Sequence, residues 1–385
     1  MEVVLVDFVG SIRSRTVLPL SATAQDTNHP QFLSAVAKAV ANLPQHLHLR
    51  IAGIGLALPA DQAELELAPK AARERFDALQ DEVEREIGYP VYVQNDITAA
   101  AGGESYQPVP GGISNPNWRV EIAGAPHRFF VKIPGEGTEM FIDRQTANEA
   151  GRKAHAAGVG ARIFHFFPDT GVEISEFVEG LRTSTNADFL DSVVRLNGLR
   201  ALKAFNDSPR LSQQKTTFDM IDEHFQQALV LGGEFPSDFG WFNARYREAR
   251  QALEASGLDL APCMNDTLAG NFLLHADRRV MLVDFEYAST NDRAAELALW
   301  FVEMCFSPEI EAELIEEYYG RVDTAVLARV SLFKALVDLK WSTWAMVQNK
   351  VSRLDFDFFK YGFWKHMRAR FMMSDPRWPD WLKTV

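Results

Sequence analysis

The sequence predicts an α+β chain of more than one compact unit, on three observations. Residues 1 to about 106 alternate strand-like and helix-like apolar patterns. A turn-rich stretch then gives way to short strands, and from about residue 185 the pattern is mainly helical, interrupted by strand and loop material over 262–290. A length of 385 residues also exceeds what one hydrophobic core usually serves. Hydrophobic residues at 47% and charged residues at 24% place the chain among globular proteins rather than disordered ones.

The elements follow in order. "VVLVDFV" is an apolar run suited to a buried strand, and "QFLSAVAKAVANL" has helical spacing. "LRIAGIGLAL" is a second strand stopped by Pro59, "ERFDALQDEVEREIG" is helical and closes on Gly88, and "PVYVQND" is a third strand. Such alternation implies an α/β layer with a mainly parallel sheet. "GGESYQPVPGGISNPN", Gly102 to Asn117, collects Gly, Pro, Ser and Asn and marks a boundary. "WRVEIAG" and "HRFFVKIPG", with a turn at "GAP", read as a hairpin; "RQTANEAGRKAHAAG" reads as a helix and "ARIFHFFPDTGVEISEFV" as another strand pair. "AELALWFVEMCF" and "VSLFKALVDLKWSTWAMVQNKVS" are helices rich in large apolar residues. The expected division is 1–106, 107–180 and 181–385.

Composition excludes several classes. A net charge of -13, with no cluster of five or more Lys and Arg, gives no basic surface for a polyphosphate backbone, so nucleic acid is not an expected partner. Cys263 and Cys305 are too far apart for a metal-knuckle pair and too few for a disulfide framework, which points to a reducing cytoplasm. "MEVVLVDFVG" lacks the basic start and length of a signal peptide, and no apolar run reaches the roughly 18 residues of a membrane span.

The residues suited to chemistry lie in "CMNDTLAGNFLL" and "MLVDFEYAS". Transfer of a γ-phosphoryl group needs a carboxylate at the acceptor hydroxyl, metal ions on the nucleotide phosphates, and a cation on the α/β-phosphates. Asp266 can serve as that carboxylate, while Asn271 and Asp284 offer the hard oxygen ligands magnesium prefers. "VMLVDFEY" would set Asp284 at the end of a buried strand, facing a cleft.

Residues 111 to about 372 resemble the choline/ethanolamine kinase branch of the aminoglycoside-phosphotransferase-like kinases. Five motifs in order carry the likeness: "GGISNPNWRVEI", "RFFVKIPGEGTEMFIDR", "NDTLAGNFLL", "VDFEYASTNDRAAELA" and "WSTWAMVQNKVS". The resemblance implies a protein-kinase-like two-lobed fold, with a small β-rich lobe before a large helical one, and use of ATP with Mg2+. It implies Asp266 as base and Asn271 and Asp284 as magnesium ligands. Lys132 would hold the nucleotide phosphates, with Ser114 and Asn115 in the nucleotide loop. The acid usually paired with that lysine is missing at Ala147, which leaves Glu149 as the candidate. For the acceptor it implies a box of Tyr287, Glu303, Trp341 and Trp344, since ring faces attract a methylated cation that has no N–H to donate. Trp341 and Trp344, three apart, would share a helix face.

Met264 stands where that family carries a histidine, whose packing and backbone bonds shape the catalytic loop. Methionine fills such a slot without the hydrogen bonds, so a weakened kinase is expected. The first hundred residues, through "RIAGIGLALP" and "PVYVQNDITAAAGGE", are similar to part of the ROK sugar kinase and repressor family, an actin-type ATPase fold in which Asp96 would face a sugar hydroxyl. The opening phosphate hairpin and the second half of that fold are missing. Dimer contact or tethering are the roles left to such a module.

The expected activity is ATP- and Mg2+-dependent phosphorylation of a hydroxyl of choline, ethanolamine or a related amino alcohol. The alternatives are a nucleotide-binding regulatory protein of weakened activity, and a phosphotransferase acting on an aminoglycoside or another small alcohol.

Overall fold

The computed structural model describes residues 2–6, 12–17, 34, 36–38, 41–42, 54–58, 81, 84–85, 91–95, 105–109, 115–122, 125, 127–135, 138–352, 354 and 356–385. Two compact units divide the chain: Met1–Pro110 with Asn117–Phe130, and Gly111–Pro116 with Val131–Val385.

In the first unit, β1 (Glu2–Val6) pairs antiparallel with β2 (Ile12–Val17), because the link between them is too short for a crossover. β3 (Ile54–Leu58) and β4 (Val91–Asn95) pair in parallel, Ile54 opposite Val91, across a connection long enough to return the chain to the same edge. Of the described residues of the two expected helices, 34, 36–38, 41, 81 and 84–85 are helical and Asn42 is in a turn. Asp96 and Pro59 lie outside the described residues. The stretch expected to be all boundary contains a strand, β5 (Ser105–Pro108), which pairs antiparallel with β6 (Asn117–Glu121). Pro108, with no N–H to give a ladder, is its last residue.

The second unit takes over within β7 (Phe129–Lys132), whose last residue is Lys132. α1 (Arg144–Ala156) starts on Asp143, whose carboxylate accepts from the Thr146 N–H at 2.9 Å, and ends with Lys153 and His155 against the negative end of the helix dipole. β8 (Ile163–Phe166) and β9 (Glu173–Glu176) form an antiparallel pair. Gly171 in the turn between them has φ +72, a conformation that suits glycine.

β10 (Leu181–Thr183), β12 (Phe272–His275) and β13 (Val280–Leu282) make a three-stranded sheet, and β11 (Leu260–Cys263) pairs with β14 (Ser289–Asp292). The remaining helices are α2 (Ser192–Asn206), α3 (Thr217–Val230), α4 (Phe239–Ala255), α5 (Arg293–Met304), α6 (Pro308–Tyr319), α7 (Thr324–Val351), α8 (Phe358–Met373) and α9 (Trp378–Thr384). The 28-residue α7 is buried around most of its circumference and packs against α3, α5, α8 and α9, as a helix apolar on all sides must. α8 crosses it closely: a Cβ added at Gly362 would lie 2.8 Å from the Ala345 Cβ. Among the described residues no helix is long and apolar enough to cross a membrane.

Candidate active site

The loop after β11 is built around Asn265. Its φ of 59 lies in the left-handed region, which Asn tolerates better than most residues. Its side-chain Nδ2 donates to the Tyr287 carbonyl at 2.9 Å and to Ser289 Oγ at 2.8 Å, while its Oδ1 accepts from Asn291 at 2.8 Å. Its carbonyl accepts from Lys340 Nζ at 2.7 Å, and its N–H approaches the Glu296 carboxylate at 3.4 Å. Met264 beside it is fully buried in the core. The loop's hydrogen bonds therefore come from Asn265, Lys340 and Glu296, while Met264 contributes bulk.

Asp266 follows, with Asn271 turned onto it: Asn271 Nδ2 donates to the Asp266 carbonyl at 2.8 Å and to Oδ2 at 3.2 Å. Burial, and after it the charge of Asp284, raises the Asp266 carboxyl above its ordinary value. The Val283 N–H donates to the Asn271 carbonyl at 3.0 Å, which ties the loop to the chain leaving β13. Asp284 lies two residues past the end of β13 rather than within it, and its φ of 65 is uncommon for a residue other than glycine.

Lys132 Nζ donates to Asp284 at 2.7 Å and to Glu286 at 3.2 Å. Burial works against its charge, but the two carboxylates outweigh that and hold the ammonium above the ordinary lysine value. Asn115 bonds Glu286 through Nδ2 and accepts from the Gly135 N–H at 3.1 Å, so it joins the same cluster. Ser114 lies outside the described residues. Glu149 is not a partner of Lys132: its carboxylate takes Lys153 at 2.6 Å and Ser212 Oγ at 2.6 Å. The reason is helical phase, because a step of two residues from Ala147 turns a side chain by roughly 200° around the axis. The second acid on Lys132 is Glu286, which stands in "VDFEY" but is not marked out by its spacing.

Tyr287, Trp341 and Trp344 do come together. Tyr287 and Trp341 meet edge to face with centroids 5.1 Å apart, Trp341 and Trp344 at 5.3 Å, and Trp344 and Tyr361 at 6.0 Å. The first three rings line a pocket of about 260 Å3 with Lys340, Lys215 and His224. Glu303 does not line it. Its carboxylate is held by Lys365 and by Arg368, the latter at 3.3 Å, in a buried cluster with Asp338.

Lys340, like Glu286, is not singled out by the sequence. Its Nζ lies 3.9 Å from the Trp341 ring centroid. Burial draws its amine below the ordinary lysine value, against the pull of Asp266, Glu296 and Glu303. The available signal was a charge inside an apolar helix, "ALVDLKWSTW". Burial beside that lysine also lowers His224 to about 3, so its ring is neutral.

Asn271 and Asp284 fit a magnesium ion in their chemistry. Asn271 commits its Nδ2 to Asp266, and its Oδ1 is a hard oxygen like the Asp284 carboxylate. Two protein oxygens are few, as is usual for magnesium, which keeps waters and phosphate oxygens as its other ligands. Among the described residues no group of three His, Cys, Asp or Glu is placed to hold a metal.

Comparison with known proteins gives this geometry its context. A probable ethanolamine kinase of Arabidopsis thaliana is 26% identical over 294 residues, 68% of this chain and 78% of its own. An ethanolamine kinase of Drosophila melanogaster is 23% identical over 274 residues, 61% of this chain, and the match spans only about half (52%) of its length. The crystal structure of a choline/ethanolamine kinase family protein from Mesorhizobium loti aligns with a TM-score of 0.64 at 27% identity, covering 79% of this chain and 98% of that one. Residues 106–323, more than half of the chain, match the family model described as choline/ethanolamine kinase, so the chain belongs to that family of phosphotransferases acting on an alcohol group.

Proposed function

We propose that the chain transfers the γ-phosphoryl group of ATP to the hydroxyl of a small amino alcohol, choline, ethanolamine or a close relative, with Mg2+ bound. The observation that carries this reading is the convergence of Asp266 with Asn271 on one loop and of Lys132 with Asp284 on the neighbouring strand ends.

In this mechanism Asp266 orients the acceptor hydroxyl and takes its proton as the oxygen bonds the γ-phosphorus and the bond to the β–γ bridging oxygen breaks, releasing ADP. Lys132 holds the nucleotide phosphates, which take over the ammonium that otherwise rests on Asp284 and Glu286. Asn115 anchors the adjoining turn through Gly135. Asn271 and Asp284 would hold the magnesium, whose charge offsets that on the phosphate oxygens. The rings of Tyr287, Trp341 and Trp344 form the acceptor wall. A loop still clamped by Asn265 and Lys340 supports turnover in spite of Met264.

The test is magnesium-dependent ADP release with a panel of amino alcohols and aminoglycosides. Acceptor-dependent release with an amino alcohol is expected. Asp266→Ala should lower turnover by about 10^2- to 10^4-fold while ATP binding persists. No release with any acceptor, while ATP still binds, would favour the regulatory alternative, and release with aminoglycosides alone would move the acceptor class.

A further inference from the structure

Trp341 is already engaged on one face. The Lys340 Nζ stands 3.9 Å from its ring centroid, within contact distance, and is pinned there by its 2.7 Å bond to the Asn265 carbonyl. Side chain and partner are both almost fully buried, at 3% exposure each, so the lysine is not free to swing aside. Tyr287 and Trp344 each stand nearly perpendicular to Trp341, with centroids 5.1 and 5.3 Å away, so the three rings pack on one another as well as lining the pocket.

A quaternary ammonium group is held almost entirely by ring faces, having no N–H to donate, and it is bulky. Here one ring face is filled by an amine, and the acid expected to balance the acceptor's charge is committed elsewhere, Glu303 to Lys365 and Arg368. A primary ammonium has different needs. It is small and carries three N–H donors, which oxygen acceptors satisfy. The pocket supplies such acceptors, since Asp143 and Gln213 line it beside the rings, while Glu223 on the same wall is paired with Lys215.

We infer that Lys340 is a specificity-determining residue that makes this site select amino alcohols with a primary amine over those with a quaternary ammonium. The inference rests on the amino-alcohol reading above. Lys340 acts by occupying the Trp341 face and by placing an amine where a second cation would otherwise sit. It touches the catalytic loop through a carbonyl and takes no part in the bond changes.

The experiment is the kcat/KM of the full chain for ethanolamine, N-methylethanolamine, N,N-dimethylethanolamine and choline, read as ADP release. In the unaltered protein the values should fall at each added methyl. Lys340→Met should shift the ethanolamine-to-choline ratio toward choline by about tenfold or more, the scale on which one pocket contact discriminates. Lys340→Arg, which keeps a basic side chain against the ring, should retain the original preference. Removal of the lysine also frees the Asn265 carbonyl, and any resulting loss in turnover falls on both acceptors and cancels in the ratio. A preference of the unaltered protein for choline, or a ratio unchanged in Lys340→Met, would overturn the inference and leave the kinase reading standing. If Lys340→Met does not fold, the methyl series on the unaltered protein decides alone. No release with any of the four acceptors would instead remove the amino-alcohol reading, and the inference with it.

Discussion

The proposed phosphate end and the proposed acceptor end of this site are each organised around a lysine, Lys132 half-buried and Lys340 buried, and the two are held in opposite ways. Lys132 touches two carboxylates, which keep it charged despite burial. Lys340 touches a neutral carbonyl and an aromatic face, and burial wins over the more distant carboxylates. Burial alone therefore does not decide which way a lysine is shifted; the nearest partner does. The difference suits the two tasks. In the proposed function, a cation that would receive phosphates is held on acids it can exchange for them, whereas Lys340 is held by a carbonyl and a ring face.

The comparison breaks first at Lys132. Lys132→Ala leaves Asp284 and Glu286 close together without their cation, on the surface where phosphates would arrive. Loss of one pre-placed electrostatic group of this kind typically lowers turnover by about 10^2- to 10^3-fold. We expect a fall of that size in kcat/KM for ATP, measured by ADP release against nucleotide concentration at saturating acceptor. Activity within threefold of the unaltered protein would mean that the phosphates are held elsewhere.

A second test probes the acceptor end's tolerance of buried groups without full partners. Glu296 is 1% exposed, its Oε1 has no hydrogen-bond partner, and burial pushes its carboxyl up to about 7. A carboxyl raised in the folded state keeps its proton there after the unfolded chain has lost it. Stability should therefore fall as pH rises from about 4.5, its unfolded value, to about 7, and level off above. The fall should be on the order of 3 kcal/mol. Glu296→Gln, which retains an acceptor for the Asn265 N–H, should remove most of this slope. Urea midpoints at pH 5 and pH 8 measure it, and parallel behaviour of the two proteins would show that the carboxyl is ionised in the fold.

What the sequence made legible divides along the same line. Asp266, Asn271 and Asp284 sit within one loop and the strands beside it, so their spacing carried their proximity, whereas Lys132 was singled out only by the family resemblance. Contacts set by tertiary packing were not legible. Glu303 is visible as an acid on α5, but its partners Lys365 and Arg368 come from α8, more than sixty residues on. Glu149 misled because a count along a helix ignores phase. β5 was hidden in a stretch whose glycines and prolines read as turn, since a four-residue strand gives too little alternation to outweigh them.

The smallest effect expected bears on the acceptor wall itself. Gly362 lets α8 approach α7, and an alanine there would put its Cβ 2.8 Å from the Ala345 Cβ and 3.4 Å from the Ser342 carbonyl oxygen. Neither neighbour is the end of a flexible side chain, so the helices must move apart, at a cost of about 1–3 kcal/mol. Alanine also gains about 1 kcal/mol of helix propensity over glycine. The net loss is therefore small, and its location is more informative than its size. Ala345 adjoins Trp344 in sequence, and Trp344 packs on Phe358 and Tyr361 of α8 at 5.7 and 6.0 Å. Gly362→Ala should lower Tm slightly and raise KM for the acceptor while KM for ATP stays constant. If KM for ATP rises instead, or both stay level, the two ends are not built as separately as Lys132 and Lys340 indicate.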